Sequence, residues 1–188
     1  MAVETSSFSQ EIANIMYASH GKPITNCLQC GTCSGTCPAV EFMDYTPRQI
    51  IGMIRADLKE DVLASNTYWT CASCYHCTVR CPAGIDIADM MYALKRYSMW
   101  KSIYKEGLIG PDFSEAFVKM IVNSGRSFEP LLAATYLPKF KFSDLMQEGL
   151  TATGLVLKGK MPLLPKKIKG LKNFQRMVRR IIPLGEPS

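Results

Sequence analysis

The stretch "NCLQCGTCSGTCPA", residues 26–39, sets four cysteines into eleven positions, and "TCASCYHCTVRCPA", residues 70–83, repeats the arrangement. Cys27, Cys30, Cys33 and Cys37 recur 44 residues later as Cys71, Cys74, Cys77 and Cys81, and Pro38 recurs as Pro82. These two runs hold all eight cysteines of the 188-residue chain. The first sixteen residues carry Glu4 and Glu11 and no apolar run, so no secretory leader is expected. No window approaches the roughly 18 apolar residues a bilayer span requires. The chain is therefore expected in the cytoplasm, where thiols stay reduced and cysteines patterned this way read as metal ligands.

Three thiolates at i, i+3 and i+6 can wrap one loop around three corners of a 4Fe-4S cube. In two-cluster ferredoxins the fourth cysteine of such a run ligates the other cluster. Two 4Fe-4S clusters are expected on that basis, the first on Cys27, Cys30, Cys33 and Cys81 and the second on Cys71, Cys74, Cys77 and Cys37. The small residues Gly31, Thr32, Ser34, Gly35, Ala72 and Ser73 leave room for backbone N–H groups near the sulfurs. Pro38 and Pro82 fix φ just after the exchanged cysteines. Structural zinc usually uses separated cysteine pairs rather than a triple plus one, and a disulfide framework would require export. With eight corners filled, His20 and His76 read as packing or supporting residues. Tyr68, Trp69 and Tyr75 read as shielding of the clusters, and Met90, Met91 and Met99 as core.

The segments around the runs carry helical rather than strand periodicity. In "DYTPRQIIGMIRADLKED" Thr46 is an N-cap and Pro47 the first helical residue, with Ile50, Ile51, Ile54 and Leu58 as the apolar stripe. After the second run Asp86 is the N-cap of a helix striped by Ile87, Met90, Met91, Leu94 and Tyr97, with Asp89 in its first turn. "SFSQEIANIMYASHG" predicts a further helix closing at Gly21. No alternating strand pattern flanks the cysteines. The expected fold is all-α, with cluster-binding loops between helices.

Twin runs of this spacing, separated and followed by helices, resemble the helical ferredoxin module. That module occurs in iron–sulfur subunits of succinate dehydrogenase and fumarate reductase, of anaerobic glycerol-3-phosphate dehydrogenase and of heterodisulfide reductase. A chain of this size resembles the stand-alone two-cluster iron–sulfur subunit of the soluble heterodisulfide reductases of methanogenic archaea. The resemblance implies an electron-transfer role without a substrate site on this chain. Its donor would be a flavin-containing iron–sulfur subunit, with bifurcation upstream. Its acceptor would be the C-C-G-motif catalytic subunit that reduces the mixed disulfide of coenzymes M and B in methanogenesis. The sequence itself has no adjacent cysteines, no G-x-G-x-x-G and no nucleotide-binding G-x-x-x-x-G-K-[ST].

Charge separates the two parts of the chain. Residues 1–100 carry seven Lys+Arg against nine Asp+Glu, and residues 101–188 carry fifteen against seven. The expected division is a helical ferredoxin domain over 1–106 and a basic helical extension for subunit docking over 107–188. In the extension, Asp112 and Glu115 read as a capping box for a helix ending at Gly125. Further helices are expected before Pro138 and over residues 143–150. From Lys158 to Arg180 there are nine Lys or Arg and no acid. Ile168, Leu171, Phe174, Val178 and Ile181 stripe a basic helix there, ended by Pro183. No nucleic-acid partner is expected, because no reader element accompanies the charge. The competing functions are a freely diffusing ferredoxin and a membrane-associated, quinone-linked iron–sulfur subunit.

Overall fold

Helix starts in this chain are set by Ser, Thr and Asp side chains, and several helix ends by residues in the left-handed conformation. The computed structural model describes residues 7–16, 23–128, 130, 132, 153–154, 157–159 and 166–181. Every regular element among them is helical, so the all-α expectation is borne out.

Helix α1 spans Phe8–Ile15, α2 is the single turn Thr32–Gly35, and α3 spans Pro47–Arg55. Thr46 caps α3 as predicted: Gln49 N–H donates to Thr46 Oγ1 at 3.4 Å, and Thr46 N–H donates to Gln49 Oε1 at 2.8 Å. Ile50, Ile51 and Ile54 are buried, but the stripe does not reach Leu58, which is 45% exposed. The helix stops because Asp57 adopts φ 59°. Asp57 N–H then donates to Ile54 O at 3.2 Å and Leu58 N–H to Met53 O at 3.0 Å, a Schellman turn. A new helix, α4, follows over Lys59–Leu63. Asp57 stands where glycine is usual because its carboxylate has a second use. Its Oδ1 accepts Phe8 N–H at 2.7 Å and satisfies a donor at the start of α1.

At the other end of α1, Arg96 Nη2 donates to Ile15 O at 2.5 Å. An anion at the N-terminus and a cation at the C-terminus both match the helix dipole. The helix ends there, with Met16 extended, short of the predicted close at Gly21, which lies outside the described residues. Midway along α1, Glu11 Oε2 accepts the Tyr97 hydroxyl at 2.6 Å and Lys59 Nζ at 2.9 Å. The same ammonium lies over the Tyr97 and Phe8 rings, 4.8 and 5.7 Å from their centroids. Burial opposes ionisation of Glu11, but hydrogen bonds from Tyr97 and Lys59 outweigh it and hold the carboxyl below the usual glutamate range.

Short helices α5 (Thr67–Thr70) and α6 (His76–Val79) flank the second run, and α7 spans Ile87–Lys101. Asp86 caps α7 by accepting Asp89 N–H at 3.1 Å, as expected. Ile87, Met90, Met91, Leu94 and Tyr97 are all buried against α1, α3 and α4 residues such as Phe8, Ile12, Ile51 and Leu63. Each such side chain contributes about 1.5–3 kcal/mol when fully buried. The chain after the first run is clasped to the chain before the second. Asp44 N–H donates to Asn66 Oδ1, and Asn66 N–H to Asp44 Oδ2, both at 2.8 Å. Thr67 Oγ1 accepts Tyr45 N–H at 3.0 Å and donates to Tyr45 O at 2.8 Å.

The chain divides into two compact units between Leu108 and Ile109. In the second unit α8 spans Ile109–Ser124, starting earlier than predicted. Asp112 is therefore inside the first turn and not at the cap, and Pro111 is accommodated there because a first-turn residue needs no N–H. Gly125 ends α8 as expected, with φ 79°; a Cβ there would run into the Ile168 side chain. The basic helix α9 spans Leu171–Ile181, so Ile168 precedes it. Leu171, Phe174 and Val178 are half-buried, Lys172, Arg176, Arg179 and Arg180 are exposed, and Gln175 Nε2 donates to Val122 O of α8 at 3.0 Å. The helices expected before Pro138 and over 143–150, and the stop at Pro183, lie outside the described residues. No helix among the described residues is long and apolar enough to cross a membrane.

Two outcomes follow from the anchoring of α1. Asp57→Ala is expected to lower stability by about 1–2 kcal/mol through the lost cap, and Asp57→Gly by less, because glycine adopts φ above zero without strain. Denaturant unfolding of the purified chain measures both. Glu11 has a depressed carboxyl value in the folded chain, so its contribution is present above the ordinary glutamate value of about 4.3 and disappears as pH falls through the depressed one. The stability gap between wild type and Glu11→Gln is expected to be widest near neutral pH and to close in acid.

Candidate iron–sulfur centre

Each cysteine run folds around two left-handed residues at matching positions. Gln29 and Ser73 both have φ 54°, and Gly31 and Tyr75 have φ 82° and 62°. The four are related in pairs by the same 44-residue offset as the cysteines. They bend each loop back on itself and lead directly into α2 and α6, which carry Cys33 and Cys77. Helices α2 and α6 pack together, and the fourth cysteine of each run leaves its own loop for the other.

The result is two cavities. One, with about 330 Å³ of empty space partly open to solvent, is lined by Cys27, Cys30 and Cys33 of the first run with Cys81 of the second, beside Arg48 and Ile51. The other, with about 400 Å³ of empty space likewise partly open, is lined by Cys71, Cys74 and Cys77 of the second run with Cys37 of the first, beside Tyr75 and Met91. All eight sequence-predicted residues thus fall into two sets of four, with Cys37 and Cys81 exchanged. Pro38 and Pro82 line the cavities next to them.

The sulfurs surround spaces, not points. Among the described residues no three His, Cys, Asp or Glu side chains converge on a single-ion position; a tetrahedral zinc would hold its sulfurs about 2.3 Å from one ion. Donors are directed at the sulfurs, an arrangement that tunes the potential of an iron–sulfur site. Gln29 offers both its backbone N–H and its Nε2 to Cys27 Sγ, each at 3.4 Å. Ile85 N–H reaches Cys81 Sγ at 3.5 Å, and the Thr32 hydroxyl lies 3.4 Å from Cys30 Sγ. Burial pushes the Cys77 thiol up to about 11 and raises Cys33 and Cys37 as well. The exposed Cys30 is drawn down by the hydroxyl and N–H of Thr32. Bare thiolates are thus disfavoured at the buried positions, and cationic metal is what ionises them on binding.

The residues present therefore fit clusters, and comparison with known proteins agrees. Residues 23–85 match the 4Fe-4S dicluster domain family. The chain is similar to a subunit of the H(2):CoB-CoM heterodisulfide,ferredoxin reductase of Methanothermobacter marburgensis, 34% identical over 47% of this chain and 48% of the relative. It is also similar to a subunit of the ferredoxin:CoB-CoM heterodisulfide reductase of Methanosarcina mazei, at 34% over 52% and 59%. An iron–sulfur subunit of the Methanopyrus kandleri CoB–CoM heterodisulfide reductase is 37% identical over 40% and 39%. The chain spans about half the length of the curated relatives it matches.

Neighbouring residues depart from expectation in part. Tyr75 lines the second cavity while remaining 47% exposed. Tyr68 is fully buried with its hydroxyl on Leu63 O at 2.8 Å, and Trp69 packs on the core; neither lines either of the two cysteine cavities. His76 is exposed and not packed, and His20 lies outside the described residues. Met90 and Met91 are core as expected, and Met99 is half-buried.

Sequence reasoning missed Gln29 and Lys95. Nothing in a single glutamine between ligands distinguishes it beforehand. Lys95 did carry a signal, since it follows Ile87 and Met91 at i+8 and i+4 and so falls on the apolar face of α7.

Tyr75 is an aromatic residue at a position whose first-run equivalent is glycine. Tyr75→Gly is expected to leave cysteine geometry and iron content unchanged, since φ 62° suits glycine better. It is expected to speed bleaching in air of the part of the visible absorbance owed to the second cavity, because the shielding ring is gone.

Proposed function

We propose that the chain is an electron-transfer iron–sulfur subunit with two 4Fe-4S clusters. Cys27, Cys30, Cys33 and Cys81 hold the first, and Cys71, Cys74, Cys77 and Cys37 hold the second. The observation that carries this reading is the partition of eight cysteines into two four-sulfur cavities, each completed by the other run. A bound cluster supplies one-electron storage. The chain's own residues hold the sulfurs, direct N–H and O–H groups at them, keep water from the buried side and fix the separation of the two sites. The role is conductive and non-catalytic.

The names of the relatives support placing the chain in a heterodisulfide-reductase-like complex in the cytoplasm. Electrons would enter from a flavin-containing iron–sulfur subunit and leave to a C-C-G-motif catalytic subunit that reduces the CoM-S-S-CoB heterodisulfide in methanogenesis. The first domain, residues 1–106, is the wire in this reading, and residues 107–188 are the docking extension. The exposed cations of α9, with its apolar side turned to α8, support a protein contact over insertion into a bilayer.

Anaerobic purification from the native host tests the assignment. Iron and sulfide at about eight each per chain, with flavin- and C-C-G-containing proteins co-eluting, is the expected result. A lone monomer with the same iron would indicate a diffusing ferredoxin, and recovery with the membrane fraction a quinone-linked role. The ligand exchange has its own test. Cys37→Ser is expected to give the paramagnetic spectrum of Cys77→Ser, with the second cluster altered; a spectrum like that of Cys33→Ser would refute the exchange.

A further inference from the structure

The first cysteine of each run has its carbonyl held by a cation from the helix that follows. Arg55 of α3 donates an Nη1–H to Cys27 O at 3.0 Å, and Lys95 of α7 donates to Cys71 O at 3.1 Å. The two arrangements differ in surroundings. Arg55 is exposed, whereas Lys95 is half-buried, with its ammonium 6.0 Å from the Trp69 ring centroid and 5.6 Å from that of Tyr92.

Among the described residues no carboxylate pairs with Lys95. Burial lowers its amine from the ordinary lysine range, and the neighbouring charge on Cys71 works the other way. Partly buried charges are normally paired. The counter-charge set against it is that of Cys71, whose carbonyl it holds and which lines the second cavity. A reduced cluster carries one more negative charge than an oxidised one, so a fixed cation beside it favours reduction. The same charge acts about four times more strongly at the effective dielectric of a protein surface region than in bulk water.

We infer that Lys95 is an electrostatic positioning residue that raises the reduction potential of the cluster on Cys71, Cys74, Cys77 and Cys37, and that Arg55 has no comparable effect on the other. The inference rests on the cluster reading of the two cavities. It makes the two sites electronically unequal although their cysteines are related by a repeat.

The test is a redox-poised paramagnetic titration of the iron-loaded chain, with iron and sulfide counted in parallel. Lys95→Gln removes the charge while leaving a donor for the Cys71 carbonyl. It is expected to load iron fully and to shift the second cluster's reduction equilibrium about tenfold toward the oxidised form, about 59 mV for one electron. The first cluster stays in place, the Cys77→Ser spectrum identifying which signal is which. Lys95→Arg is expected to keep the wild-type potentials, and Arg55→Gln to move the first cluster by far less than tenfold. Fully loaded Lys95→Gln with both potentials unmoved would overturn the inference. So would failure of both Lys95→Gln and Lys95→Met to load iron while Lys95→Arg loads, which would assign the lysine to folding. Wild-type chain without iron or sulfide would instead sink the cluster reading itself.

Discussion

Two loops that each supply three sulfurs can close neither cavity alone. Every other feature of the first unit follows from the need to bring the loops together and keep them there. Cys37 and Cys81 cross between them, and α2 and α6 meet where they cross. The arrangement places several thiols where burial opposes their ionisation. A buried thiol stays protonated without metal, so the scaffold around the sulfurs is what holds them in position.

Part of that scaffold is polar and lies next to the two runs. The reciprocal bonds between Asp44 and Asn66, and between Tyr45 and Thr67, close the path from one run to the next. Left-handed residues turn each loop, and Thr46 and Asp86 start the two helices that lead away. Apolar packing of α1, α3 and α7 then supplies the bulk of the cohesion. The backbone repeat is closer than the sequence repeat. Gly31 and Tyr75 adopt nearly the same conformation with very different side chains, so the loop shape is imposed by the site more than by residue preference.

The cysteine partition was legible because the spacing encodes it, and the helices around it because Thr46–Pro47 and Asp86 are local signals followed by apolar stripes. What failed was long-range. The stop at Asp57 depends on the Phe8 N–H, 49 residues away, and no local rule makes aspartate a helix terminator there. The early end of α1 is likewise tied to Arg96, and the early start of α8 to Pro111 being tolerated in a first turn. Lys95 was visible as a polar residue on an apolar face, but its neighbours, the Cys71 carbonyl and two aromatic rings, lie on three different parts of the chain.

The anchoring of α1 also orders events during synthesis. Phe8 precedes both cysteine runs, yet the arginine that holds the far end of its helix comes 81 residues after Ile15. Both cysteine runs lie between the two. The N-terminal helix therefore cannot be fastened at both ends until every thiol of the chain has emerged. Its second fastening is thus made by a residue that follows both cysteine runs in the chain.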